Sequence, residues 1–296
     1  MSTAAKLGPP PPVARAAAAA PSSGLSLSER LSWKRLGTGL QAFIVPVLAL
    51  VAWEAFSRLE ILPPGLLPSP SRVLSGWYSW AFGPSRGGFA PYSGTWAANA
   101  LFSAERVLKG YALAILIGVP FGVLIGWSRT VARLFDPLTQ SLRPIPITAW
   151  LPFSISLFGI GEFGSLFLIM LGAFYPIVVN ATHGARDVNK NLVRAARMMG
   201  ATPWQLLTRV VLPNALPAIF TGLRIGLGIA WTAVIVSEMV AVKSGLGYVL
   251  WDAYYIGRMD IVLADMISIG ILGYLSDRLL LLLQSRLLHW KTLQQV

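Results

Sequence analysis

The chain has 296 residues, of which 55% are apolar and only 12% charged. That charged share is about half of what a soluble domain carries, and with a mean hydropathy of +0.63 it disfavours a soluble enzyme and a disordered protein and points to a polytopic membrane protein. The net charge of +12 fits inner loops rich in Lys and Arg rather than nucleic-acid binding, and a chain without cysteine has no disulfides or thiol nucleophiles.

Residues 1–30 open on a Pro-, Ala- and Ser-rich run that reads as a disordered cytoplasmic tail. A signal peptide is disfavoured, because the apolar stretch Ala16 to Ala20 is short and Pro21 follows it. Six apolar segments follow, each close to the ~20 residues a bilayer requires. They are Leu36 to Trp53, Gly110 to Ser128, Pro144 to Gly161, Phe163 to Ala185, Pro217 to Ser237 and Ile261 to Ser285. Pro144, Pro146 and Pro152 predict a kinked or partly unwound third span. Gly118, Gly122 and Gly126 share one face of the second, as close helix packing requires.

With the N-terminus inside, the inner segments (1–36, 128–143, 186–216 and 278–296) hold sixteen Lys and Arg, and the outer ones seven. That asymmetry predicts that both termini are cytoplasmic. The chain thereby divides into the tail 1–30, a first transmembrane helix with an outer segment over 31–99, and a core of five further transmembrane helices over 100–290.

The inner segment 186–216 carries the most information. Leu192, Ala195, Ala196 and Met199 recur at helical spacing. Gly200 is a plausible stop, Thr202-Pro203 opens a second helix, and Leu212-Pro213 is expected to end it. The segment therefore reads as a helix–turn–helix lying on the membrane. It either covers the bundle or presents a docking knob flanked by Arg194 and Arg197.

Within it, RAARMMGATPWQLLTRVVLP resembles the cytoplasmic loop signature of ABC importer permeases: Glu-Ala-Ala, three residues, Gly, nine residues, Ile-x-Leu-Pro. Ala195 and Ala196 match the alanines, Gly200 the glycine, Val210 the isoleucine, and Leu212 and Pro213 the end. Arg194 stands where the family has Glu. The runs 134–162, 172–180, 222–231 and 244–254 are similar to the nitrate/sulfonate/taurine/bicarbonate subgroup. The resemblance implies an all-α, type I importer permease-like fold with six transmembrane helices. It implies that Arg194, Ala195, Ala196, Arg197, Gly200, Leu212 and Pro213 belong to a coupling loop seated on an ATPase. It further implies a cytoplasmic ATPase dimer that holds ATP-Mg, a periplasmic or lipid-anchored solute-binding protein, a second permease copy, and a bacterial inner (plasma) membrane location.

The residues themselves carry no phosphate loop, nucleophile elbow or zinc motif. His183 and His289 stand too far apart in sequence for a histidine-built metal motif. No catalytic, cofactor-binding or metal residue is therefore expected. Ionisable residues inside spans are candidates for the transport path. Arg224, about seven residues into the fifth span, either snorkels to the inner interface or pairs with a carboxylate. Trp231, mid-span, lines the path or simply packs, and Glu238 is a candidate for the outer gate. Trp251, Tyr254 and Tyr255 form an interfacial belt or receive a binding protein. The reading is an ATP-driven import permease for a small solute, an anion such as nitrate, sulfonate or taurine. The alternative is a stand-alone secondary carrier or channel.

Overall fold

A computed structural model describes residues 33–59, 65–84 and 92–288. The expected tail 1–30, with Lys6, Arg15 and Arg30, lies outside the described residues, as do Arg86, His289 and Lys291. The described residues divide into two units, with the boundary between Ala52 and Trp53.

Helices make up all the regular structure among the described residues. They are α1 (Trp33–Arg58), α2 (Pro70–Phe82), α3 (Trp96–Trp127), α4 (Arg129–Leu142), α5 (Leu151–Phe158) and α6 (Glu162–Arg186). After them come α7 (Lys190–Met198), α8 (Pro203–Leu206), α9 (Leu212–Ala241), α10 (Leu246–Tyr255) and α11 (Met259–Leu287). Among the described residues, four helical stretches are long and apolar enough to cross a membrane: Trp96–Trp127, Glu162–Arg186, Pro203–Ala241 and Met259–Leu287. Helix α1 has 26 residues, or about 39 Å at helical rise, which also exceeds a bilayer core.

The centre is a three-helix seam of α3, α6 and α9. A Cβ on Gly110 would lie 2.7 Å from Ile169, one on Gly122 2.6 Å from the Val178 carbonyl oxygen, and one on Gly126 2.6 Å from Ala185. Contacts that advance in step along both helices make α3 and α6 parallel. Helix α9 runs antiparallel to α6, since Gly184 meets Ala215 and Ala218, while Gly226 meets Ala173 and Ile177. Lipid tails are as apolar as leucine, so backbone proximity and van der Waals packing hold such a seam.

Parallel α3 and α6 require the chain between them to cross back. The expected third span, Pro144 to Gly161, supplies only part of that crossing: a 3₁₀ turn at Ile147–Trp150 followed by the eight-residue α5. The rest is α4, within the stretch 128–143 that the Lys and Arg count assigns to an inner segment. Its N-cap Ser128 accepts from the Val131 N–H at 3.4 Å, and Phe135 packs edge-on against Phe121 of α3 at 5.2 Å. Ile147 then lies opposite Gly172, and the Ser154 hydroxyl donates to the Gly164 carbonyl at 2.8 Å. The third crossing is thus a broken one, α4 plus α5. Arg129, Arg133 and Asp136 on α4 hid it from an apolar-run reading.

Two further elements run longer than expected. Helix α3 starts at Trp96, fourteen residues before the apolar run, because its charges there are paired: Arg106 with Glu238, and Lys109 with Glu105 and Glu162. The helix opened by Thr202-Pro203 does not end at Leu212-Pro213. It passes through a π-helical turn at Leu207–Val211 straight into α9. Pro213 sits in the first turn of α9, where its ring suits helical φ.

Candidate functional site

The loop between α6 and α9 is built from local capping. Asn189 caps α7 by accepting from the Asn191 N–H at 2.9 Å. Gly200 has φ +79°, a left-handed conformation that side chains disfavour. The Gly200 N–H donates to the Arg197 carbonyl and the Ala201 N–H to the Ala196 carbonyl, both at 3.0 Å, which closes α7. Thr202 and Gln205 then cap α8 reciprocally: the Thr202 N–H donates to Gln205 Oε1 at 2.9 Å, and the Gln205 N–H to Thr202 Oγ1 at 3.3 Å.

The four residues expected on one face divide differently. Ala196 is buried, while Leu192, Ala195 and Met199 face outward. Met198 is 88% exposed, Met199 82% and Trp204 71%. Arg194 and Arg197 stand beside them, exposed and outside every ion pair among the described residues. A Cβ on Gly200 would meet nothing within 4 Å. The knob is capped at both of its helices, apolar at its tip and basic at its flanks. Leu212 and Pro213 lie behind it at the root of α9.

Inside the spans, Arg224 and Asp277 form a two-pronged pair between α9 and α11, at 2.9 and 3.0 Å. Of the two expected fates of Arg224, pairing is the one found. Trp231 is buried, donates its indole N–H to Ser276 Oγ at 2.9 Å, and borders an apolar groove of about 640 Å3 shared with Val107, Tyr111, Leu227 and Leu283.

Glu238 is fully enclosed, at 0% exposure, so its carboxylate faces a protein interior. Arg106 Nη1 donates to it at 2.6 Å, Ser103 Oγ at 2.8 Å and the Gly247 N–H at 3.0 Å. Arg106 also donates to the Ser244 carbonyl at 2.9 Å and to its hydroxyl at 2.6 Å. The cluster ties α3 and α9 to the turn that opens α10. Sequence reasoning missed Arg106 because 132 positions separate it from Glu238. Asp265 on α11 is equally enclosed, and neither of its oxygens has a hydrogen-bond partner among the described residues.

At the other end of the bundle from the loop, Trp77 and Trp96 donate their indole N–H groups to Ser268 Oγ at 3.0 and 2.9 Å. Tyr92, at φ +73°, donates its hydroxyl to Asp252. Burial, aided by that carboxylate, pushes the Tyr92 pKa above its ordinary value. Trp251 stacks on Tyr254 at 5.6 Å and meets Tyr255 edge-on at 5.3 Å, leaving an aromatic patch on α10.

Residues 118–289 match the family described as "Binding-protein-dependent transport system inner membrane component". The chain is 38% identical to a putative ABC transporter permease protein of Methanocaldococcus jannaschii, over 85% of this chain and 92% of that one. It is 36% identical to the taurine transport system permease protein TauC of Escherichia coli, over 89% and 94%. It is 35% identical to the nitrate import permease protein NrtB of Synechocystis, over 80% and 84%. Its fold is similar to a chain of the MetNI methionine ABC transporter in an inward-facing conformation, with a TM-score of 0.54 at 24% identity, over 65% of this chain and 94% of that one. Since the family match covers more than half the chain and the relatives span most of it, the chain belongs to the inner membrane components of binding-protein-dependent transport systems, the permease subunits of ABC importers, which are transport subunits and not enzymes.

Proposed function

We propose that this permease imports a small anion, of the nitrate or sulfonate kind, delivered by a solute-binding protein. It acts with a second copy of itself and with a pair of ATPase subunits that hold the ATP-Mg. Both termini and the loop 186–216 lie on the ATPase side. The observation that carries this reading is the loop tip. Met198, Met199 and Trp204 are exposed on a capped, rigid frame, and large apolar side chains held out on such a frame mark a protein contact. Arg194, Ala195, Ala196, Arg197 and Gly200 form the seat, and Leu212 and Pro213 join it to α9. The names of the taurine and nitrate relatives support the anion class.

The test is reconstitution with the ATPase and binding protein, followed by uptake of nitrate, taurine and ethanesulfonate. ATP-dependent uptake of one of them is expected. Gly200→Glu is expected to lower that uptake at least tenfold while membrane insertion and ATP hydrolysis persist. Two results overturn the reading: wild-type uptake in Gly200→Glu, or uptake by the permease alone without ATP, which marks a stand-alone carrier.

A further inference from the structure

The break in the third crossing holds a charge that the fold leaves uncompensated. Arg143 caps the end of α4, its N–H donating to the Thr139 carbonyl at 3.1 Å. Pro144 and Pro146 follow, and helical structure resumes only at Ile147. Ile147 lies opposite Gly172, fourteen residues from the loop end of α6, which is roughly 21 Å at helical rise. Arg143 precedes Ile147 by four residues of non-helical chain, which span at most about 13 Å, so it stands about 8 Å or more inside the bundle from that end.

The other deep cations are satisfied. Arg106 is held by Glu238 and Arg224 by Asp277. The Arg143 side chain is exposed and enters no ion pair among the described residues. An unpaired guanidinium at this depth is costly against lipid and belongs in a water-filled cavity. Broken backbone at membrane depth is likewise tolerated only where it is buried in protein or lines such a cavity. Both features coincide at 143–147.

We propose that Arg143 is the point on the transport path where the solute's anionic group is held. This rests on the anion-import reading above. A guanidinium presents paired N–H donors that match two oxygens of a nitrate, sulfonate or carboxylate. Position 143 thereby selects for oxyanions during the crossing, when the solute has left both the binding protein and bulk water.

The test uses the reconstituted complex with nitrate, taurine and ethanesulfonate as probes. Arg143→Gln is expected to cut uptake roughly tenfold or more, the scale of one lost charge-assisted hydrogen bond, while ATP hydrolysis without solute stays at wild-type level. Arg143→Lys is expected to retain part of the uptake. Because the chain has no cysteine, Arg143→Cys offers a second readout in membranes. A membrane-impermeant, charged methanethiosulfonate is expected to label it, and the transported probe to slow the labelling. Leu116→Cys, at an exposed apolar position within the α3 span, is expected to stay unlabelled. Undiminished uptake by Arg143→Gln, or an inert Arg143→Cys, overturns the proposal. Silence of the wild-type complex towards every probe instead overturns the anion reading on which it rests.

Discussion

Arg106, Glu238 and Gly245 form one mechanical unit. The carboxylate is buried with its charge balanced by Arg106 and its remaining valences taken by Ser103 and the Gly247 N–H. Removing one member leaves a buried charge without its counter-ion, which costs about 3–5 kcal/mol. Arg106→Met and Glu238→Leu alone are therefore each expected to lower the melting temperature in detergent sharply. The double substitution is expected to regain much of the loss, since two apolar side chains leave no unpaired charge. Additive losses in that cycle would show that the two side chains are not coupled. Gly245 adds a steric condition. Its φ is +105°, and a Cβ there would fall 2.3 Å from a Glu238 oxygen. Gly245→Ala is accordingly expected to disturb the same cluster as strongly as Glu238→Leu, in the same melt.

At the scale of the element, the α3–α6 seam sets how the spans pack. A side chain at Gly122 meets the backbone of α6 at 2.6 Å, and backbone does not swing aside. Gly270 on α11 is also helical, yet a Cβ there meets nothing within 4 Å. Gly122→Leu is expected to abolish stable insertion, whereas Gly270→Ala is expected to be neutral or stabilising by up to about 1 kcal/mol from helix propensity alone. The comparison is read as folded yield after detergent extraction, and equal yields would remove the seam as a determinant of the fold. The sequence showed the shared glycine face, the apolar runs behind α6, α9 and α11, and the capped loop, because each depends on residues close in the chain. It did not show α4 as half of a crossing. Arg129, Arg133 and Asp136 recur along that helix, and charge in an amphipathic helix looks like charge in a loop when only hydropathy is read. Nor did it show the partners of Glu238 and Arg224, which sit 132 and 53 positions away. Long-range pairing leaves no local pattern.

For the whole molecule, the continuity of α8 with α9 matters more than either helix alone. Pro203–Ala241 is one helical stretch of 39 residues, about 58 Å long. It joins the exposed knob to Arg224, Trp231 and Glu238 without a flexible link, so a displacement of the knob travels along α9 to the buried cluster at its far end. Between them lies the π-helical turn Leu207–Val211, which holds one residue more than an α-helix needs. The wider turn absorbs that residue, so the helix faces before and after it keep nearly the register of an uninterrupted α-helix. Inserting one alanine after Thr208 adds a residue that the widened turn does not already absorb, and is expected to rotate the knob by roughly 100° about the axis. The face proposed to dock would then point away from the ATPase while every span keeps its packing. In the reconstituted complex the expected outcome is continued ATP hydrolysis with uptake lost, read as ATP consumed per solute moved. Thr208→Ala removes only a hydroxyl that donates to the Trp204 carbonyl at 2.9 Å, and is expected to leave that ratio unchanged. Wild-type coupling in the insertion would mean that the knob is tethered flexibly and that α9 is not the lever.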